Sequence, residues 1–229
     1  MIISGFQPVT LLDYPQKVAA IIFTSGCNMR CPFCYNYKLV LPEYLGKEKA
    51  FEERQILSFL KKRKKYLDGL VITGGEPTIQ KDLVNFLEAV KQIGYQIKLD
   101  TNGLLPKVLE KLITQRLIDY IAMDIKGPLI KYSKYCGIED TSNIKESIAL
   151  IMNSGLLYEF RTTFVKGLHS IDDAVKIVKD IKGAQLYFLQ EFRNEPILDS
   201  KAKFSNFTIE EMEKMRLQCE KFVNKCFIR

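Results

Sequence analysis

The chain has 229 residues, 47% of them hydrophobic, and 34 Lys and Arg against 27 Asp and Glu give a formal net charge of +7. That length fits one domain with a sizeable core. The longest apolar run near the start, Val18 to Phe23, is far too short to span a membrane, and six cysteines in a Lys- and Glu-rich chain of this size do not read as the disulfide framework of a small secreted domain.

No basic-then-apolar leader precedes Val18, so a cytoplasmic protein without a secretory signal or membrane segment is expected. The densest basic run, Lys61 to Lys65, has few interleaved aromatics and belongs to no recognisable nucleic-acid module. It reads as a solvated helix face, and no nucleic-acid partner is expected.

In chain order, the first predicted strand is Val18–Thr24, a short apolar run. Cys27, Cys31 and Cys34 follow it, crowded at the spacing CxxxCxxC. A helix over Glu52–Lys64 leads to a second strand, Gly69–Thr73, which ends in "TGGEP", Thr73 to Pro77. Helix Lys81–Ile93 places Leu83, Phe86, Leu87, Val90 and Ile93 on one face, with Gly94 as its stop. Strand Tyr95–Asp100 ends in "DTNG", Asp100 to Gly103, where Asn102 suits a turn. Helix Pro106–Gln115 precedes strand Tyr120–Ile125, whose end carries "MDIK", Met123 to Lys126. Helix Asn143–Asn153 precedes strand Glu159–Val165, which contains Arg161. Ser170 and Asp173 open the next helix and Gly183 closes it. Strand Gln185–Gln190 follows, and a last helix at about 208–227 opens on Thr208 and Glu211.

Six strand-then-helix units in a row predict an α/β fold of parallel strands joined by right-handed crossovers. Six are too few for a closed eight-stranded barrel; an open partial barrel and a flat doubly wound sheet both fit. In either, ligands bind at the C-terminal ends of the strands. The cysteines, "GGEP", "DTNG", "MDIK" and Gln190 all fall at that edge, which predicts one ligand site lined by several strands.

Three crowded cysteines in such a chain favour a metal over a disulfide. A structural zinc closes its shell with four ligands. The fourth would have to come from Cys136, Cys219 or Cys226, because the one histidine, His169, has no other ligand near it in sequence. Those cysteines read more simply as small buried residues, with Cys219 and Cys226 on one face of the last helix, and His169 reads as solvated. The other reading is an iron–sulfur cluster. A cubane normally takes four thiolates, so three leave one iron open for a substrate or cofactor.

CxxxCxxC with Phe33 just before its last cysteine, "GGEP" at the second strand end and a six-unit partial barrel together resemble the radical S-adenosylmethionine (SAM) enzymes over roughly Met1 to Pro196. The resemblance implies a single radical SAM domain over 1–229, a partial (βα)6 TIM-like barrel. It implies a [4Fe-4S] cluster on Cys27, Cys31 and Cys34, with SAM chelating the open iron and cleaved reductively to a 5′-deoxyadenosyl radical. Gly74, Gly75 and Glu76 would meet the methionyl ammonium, Phe33 the adenine, and Asp100 with Thr101 the ribose or a cation. Lys126 and Arg161 would meet the methionyl carboxylate.

"DTNG" and "MDIK" look like the glycyl-radical-enzyme activating enzymes, in which aspartates matching Asp100 and Asp124 help hold a monovalent cation. Residues 5–36 look most like anaerobic ribonucleoside-triphosphate reductase activating proteins. The stretch 38–64 lacks cysteine, so a single cluster is expected. The implied partners are a glycyl radical enzyme as protein substrate and a flavodoxin- or ferredoxin-like electron donor. Where the pyruvate formate-lyase type carries a histidine near the sixth strand, this chain has Gln190 and Arg193. Two rival readings are a radical SAM enzyme acting on a small molecule such as a deazapurine precursor, and a non-enzymatic zinc-binding interaction module.

Overall fold

The computed structural model describes residues 1–44 and 50–229; residues 45–49, part of the cysteine-free stretch 38–64, lie outside it. The chain divides into two compact units. Met1–Asn28, Lys38–Thr101 and Leu105–Ile121 make the first, and Met29–Tyr37, Asn102–Leu104 and Ala122–Arg229 make the second.

The first unit opens on β1 (Ile3–Thr10), antiparallel to β2 (Ala19–Thr24). Helix α1 (Tyr37–Val40) starts at a join between the units and α2 (Glu53–Arg63) follows. Strand β3 (Gly69–Gly74) runs parallel to β2 residue for residue, and after α3 (Leu83–Ile93), β4 (Gln96–Thr101) runs parallel to β3. These strands are short continuous apolar runs because a parallel strand is covered on both faces; Leu70, Val71 and Ile72 are fully buried. Helix α3 buries Leu83, Phe86, Leu87 and Val90 and stops at Gly94, whose φ of 95° is the left-handed cap that glycine supplies without strain. Helix α4 (Pro106–Thr114) completes this unit, and β5 (Tyr120–Asp124) begins in it and ends in the second.

The second unit continues with α5 (Tyr132–Cys136), α6 (Ser142–Asn153), β6 (Leu157–Phe164), α7 (Ile171–Asp180), β7 (Tyr187–Glu191), α8 (Ile209–Cys219) and β8 (Cys226–Ile228). β6, β7 and β8 are successive parallel neighbours. Both expected N-terminal caps form reciprocally, Ser170 with Asp173 on α7 and Thr208 with Glu211 on α8. Along β6 the residues alternate between faces. Tyr158, Phe160, Thr162 and Phe164 share one face; Glu159, Arg161 and Thr163 share the other, with Phe188 and Gln190 of β7 beside them in register.

All six predicted strands are present, with ends shifted by a few residues at most. Two further strands are findings of the structure. β1, "ISGFQPVT", hides its character behind Gly5, Gln7 and Pro8 and pairs irregularly at the sheet edge. At the other end, the helix expected at about 208–227 stops at Cys219 and the chain turns into β8. Backbone bonds from Gly183 to Phe222 and from Asn224 to Ala184 carry it there. Cys226 is therefore on a strand and not on the helix face of Cys219, although the two buried thiols still meet: a hydrogen bond with Cys219 and then burial push Cys226 well above the usual thiol range.

Candidate active site

In the first unit, the strand end at "TGGEP" packs on the stem of the cysteine loop. Gly75 donates to the Thr24 carbonyl at 2.8 Å and Glu76 to the Gly26 carbonyl at 2.8 Å, while Gly26 donates to Leu39 at 2.6 Å. A Cβ at Gly75 would overlap the Gly26 carbonyl oxygen, and one at Gly74, whose φ is +120°, would overlap Thr24. Two glycines are thus what this close backbone approach demands. Glu76 is only 1% exposed. Its Oε1 accepts from the Thr78 amide (3.1 Å), the Thr78 hydroxyl (2.5 Å) and the Thr101 hydroxyl (2.7 Å). At the end of β4, Asp100 pairs with Lys98 two residues earlier on the same strand face, and that lysine is 2% exposed.

In the second unit, the loop through Cys31 and Cys34 is held by main-chain bonds. Cys34 donates to Cys31 (3.1 Å) and Arg30 to the Cys136 carbonyl (3.0 Å). The amides of Leu198 and Asp199 donate to the carbonyls of Cys34 (2.9 Å) and Pro32 (3.0 Å). At the end of β5, Asp124 accepts from Arg161 Nε at 2.8 Å and from Lys126 Nζ at 3.0 Å. Burial alone would push this carboxyl up; the two cations outweigh it and hold it well below the usual range. Burial likewise opposes the charge on Lys126, and Asp124 with Cys31 outweighs it, so the ammonium is firmly held. Arg161 also lies 3.8 Å from Glu159, a carboxylate with 0% exposure that Arg229 approaches at 3.3 Å.

Phe33 is buried, its ring edge-on to His169. The structure corrects the expectation of a solvated histidine, because His169 is 6% exposed. Gln190 lies in register with Thr163 on the strand face that carries Arg161, and Arg193 sits 5.6 Å over the ring of Tyr35.

Of the residues expected at one site, Cys27, Gly74, Gly75, Glu76, Asp100 and Thr101 fall in the first unit, and Cys31, Phe33, Cys34, Asp124, Lys126, Arg161 and Gln190 in the second. Asn102 makes the expected turn, accepting from Leu104 at 3.0 Å. Sequence reasoning missed Lys98, Tyr35, Glu159 and His169. A charged residue inside a buried strand is the signal that could have found Lys98 and Glu159.

The cysteine loop suits a metal cluster by the chemistry of its donors. None of the six cysteines is in a disulfide. Burial pushes the Cys34 thiol up while Lys126 pulls it down, and a coordinated metal deprotonates such a thiol outright. Among the described residues no three His, Cys, Asp or Glu side chains are gathered as for a single metal ion, so the ligand set rests on the sequence spacing. Among the described residues no helix is long and apolar enough to cross a membrane.

Comparison with known proteins agrees with this picture. The family described as the radical SAM superfamily matches residues 21–182. A Methanocaldococcus jannaschii protein named "Putative glycyl-radical enzyme activating enzyme" is 35% identical over 100% of this chain and 95% of its own length. Among solved structures, Streptococcus suis SuiB bound to S-adenosylmethionine superposes with a TM-score of 0.69 at 15% identity over 91% of this chain. The match spans 49% of SuiB, so the chain covers about half that protein's length. A domain of pyruvate-formate lyase-activating enzyme from Bacteroides vulgatus superposes at 0.55 with 14% identity, over 70% of this chain and 98% of that domain. These likenesses show the fold, the expected α/β class with parallel strands in an open partial barrel.

Proposed function

The chain belongs to the radical SAM superfamily, whose enzymes use a [4Fe-4S] cluster and SAM, and from that premise we propose that it is a glycyl-radical-enzyme activating enzyme. Cys27, Cys31 and Cys34 are the proposed cluster ligands. When bound, the cluster and SAM supply a 5′-deoxyadenosyl radical, which takes a hydrogen atom from a glycine Cα of a partner protein. The partner reading rests on the relative that is 35% identical over the whole chain. An anaerobic ribonucleoside-triphosphate reductase is the finer proposal for that partner, and a flavodoxin- or ferredoxin-like protein for the electron donor.

The observation that carries the reading is the buried carboxylate at the end of β3. Glu76 is a buried carboxylate held by hydroxyl and amide donors, suited to an ammonium. In the second unit Lys126 and Arg161 pair with Asp124, and Arg161 and Arg229 approach Glu159, charged donors of the kind that bind carboxylates. Thr101 is tied to Glu76 and positions it; Phe33 and Gln190 are the proposed neighbours of the adenosyl part. The single histidine is buried with both ring nitrogens engaged, so imidazole acid–base chemistry is not on offer, and hydrogen-atom transfer needs none.

A monovalent cation at either aspartate would compete with a side-chain cation already there. Asp100 already holds Lys98, and Asp124 holds Lys126 and Arg161. We assign the compensating charge to these side chains.

The test is anaerobic reconstitution with iron and sulfide, then dithionite and SAM, following 5′-deoxyadenosine. Cleavage that is lost in Cys27→Ala, Cys31→Ala and Cys34→Ala is the expected result, with a glycyl radical signal on adding the partner. About one tightly bound zinc per chain and no cleavage would overturn the reading; cleavage stimulated by a small metabolite and never by a protein would move it to a small-molecule substrate.

A further inference from the structure

His169, the only histidine in the chain, follows β6 and lies at the centre of an aromatic block in the second unit. Its ring stacks on Tyr135 at 4.6 Å and 25°, and meets Phe164 (5.4 Å) and Phe33 (6.0 Å) edge-on. Both nitrogens are committed. Nδ1 accepts from the Val165 amide at 3.2 Å, which requires that this nitrogen carry no proton. Nε2 must then carry it, and donates to the Lys126 carbonyl at 2.9 Å. The backbone on either side therefore fixes a neutral ring in one tautomer.

The block is itself fastened. The Tyr135 hydroxyl donates to Asp173 at 3.0 Å, and Lys134 Nζ donates to the Leu168 carbonyl at 2.8 Å. Gly127, directly after Lys126, leaves the space that the Tyr135 ring fills, because a Cβ there would overlap that ring. One imidazole thus touches two parts of the proposed site at once. It holds the peptide of Lys126, whose ammonium pairs with Asp124, and it backs Phe33, which sits between Pro32 and the ligand Cys34.

We propose that His169 is a positioning residue for SAM binding. Its Nε2–H fixes the Lys126 carbonyl, and so the direction in which the Lys126 side chain leaves the strand end, while its ring sets Phe33, the residue before Cys34. This inference rests on the proposed SAM-binding reading. Neighbours of this kind, one bond removed from the groups that touch a ligand, typically change affinity by roughly tenfold or more when lost.

Three substitutions separate positioning from packing. His169→Phe keeps a ring in the block and removes both hydrogen bonds. His169→Gln keeps a donor at the reach of Nε2, and His169→Asn keeps an acceptor at the reach of Nδ1. SAM affinity of the anaerobically reconstituted protein is measured by equilibrium binding without reductant, beside iron content and thermal midpoint. The expected result is iron content like the parent's in all three, affinity about tenfold weaker in His169→Phe and His169→Asn, and recovery to within about threefold in His169→Gln. Parent-like affinity in His169→Phe, or equal loss in Gln and Asn variants, overturns the proposal. Should His169→Phe not fold, the Gln and Asn pair decides by the same criterion. Failure of the parent itself to bind SAM overturns the proposed function instead.

Discussion

The ends of β3 and β5 hold their carboxylates in opposite ways. At the end of β3, Glu76 is held by an amide and two hydroxyls, on a stem where two glycines let backbone touch backbone. At the end of β5, the half-buried Asp124 is held by a lysine and an arginine, and the arginine faces the fully buried Glu159. Hydroxyl and amide donors hold a carboxylate by geometry; lysine and arginine hold one by charge. The first end is built by close steric fit and the second by electrostatic compensation, so they should fail differently.

The largest effect is expected at the steric end. Gly75→Ala drives a Cβ into the Gly26 carbonyl, and the backbone must move. A loss of stability above about 3 kcal/mol is expected, read from the denaturant midpoint of the chain before reconstitution; an unchanged midpoint would show that the stem is soft. At the electrostatic end, Arg161→Leu removes a buried cation shared by Asp124 and Glu159. Stability should fall by about 3 kcal/mol, and a loss near zero would show that Lys126 and Arg229 suffice.

A third prediction concerns pH. Burial lowers His169 from its ordinary 6.5 to about 4, against the pull of its Lys126 hydrogen bond. As pH falls below 6.5 the unfolded chain takes up a proton that the folded chain refuses. The stability from this group is therefore fully present above pH 6.5, is lost progressively as pH falls to about 4, and is level below that. Its size is on the order of 3 kcal/mol. Urea midpoints across that window should fall more steeply in the parent than in His169→Phe, and parallel curves would remove the histidine from the account.

Smaller effects sharpen the contrast. Glu76→Gln keeps the threonine contacts and removes the charge, so SAM should bind about tenfold more weakly with little change in thermal midpoint. Exchanging sodium or potassium for a bulky organic cation should change SAM binding least of all, because Lys98, Lys126 and Arg161 already face the aspartates. A strict requirement for one alkali metal would reverse that assignment.

What the sequence made legible follows from the same physics. Parallel strands buried on both faces write themselves as apolar runs, so the six central strands stood out. β1 and β8 did not, because an edge strand needs only part of that pattern, and Cys226 to Ile228 could equally continue the helical rhythm of α8. The cysteine spacing and the glycine pair are local signals and were readable as such. His169 was misread because its surroundings come from four separate stretches, around Phe33, Lys126, Tyr135 and Phe164. Lys98 and Glu159 were overlooked because each breaks an apolar run by one residue, and only the fold shows that a partner of opposite charge waits beside it.

The bonds from Leu198 and Asp199 to the cysteine loop have a consequence in time. They join the carbonyls of Pro32 and Cys34 to amides far later in the chain. At a synthesis rate of roughly 5–20 residues per second, the loop through Pro32 and Cys34 leaves the ribosome on the order of ten seconds before the segment that fastens it exists. During that interval the loop lacks both of these main-chain bonds. The loop therefore takes its final shape only after almost the whole chain has been made, so a chain cut before Leu198 should leave Pro32 and Cys34 without those two bonds.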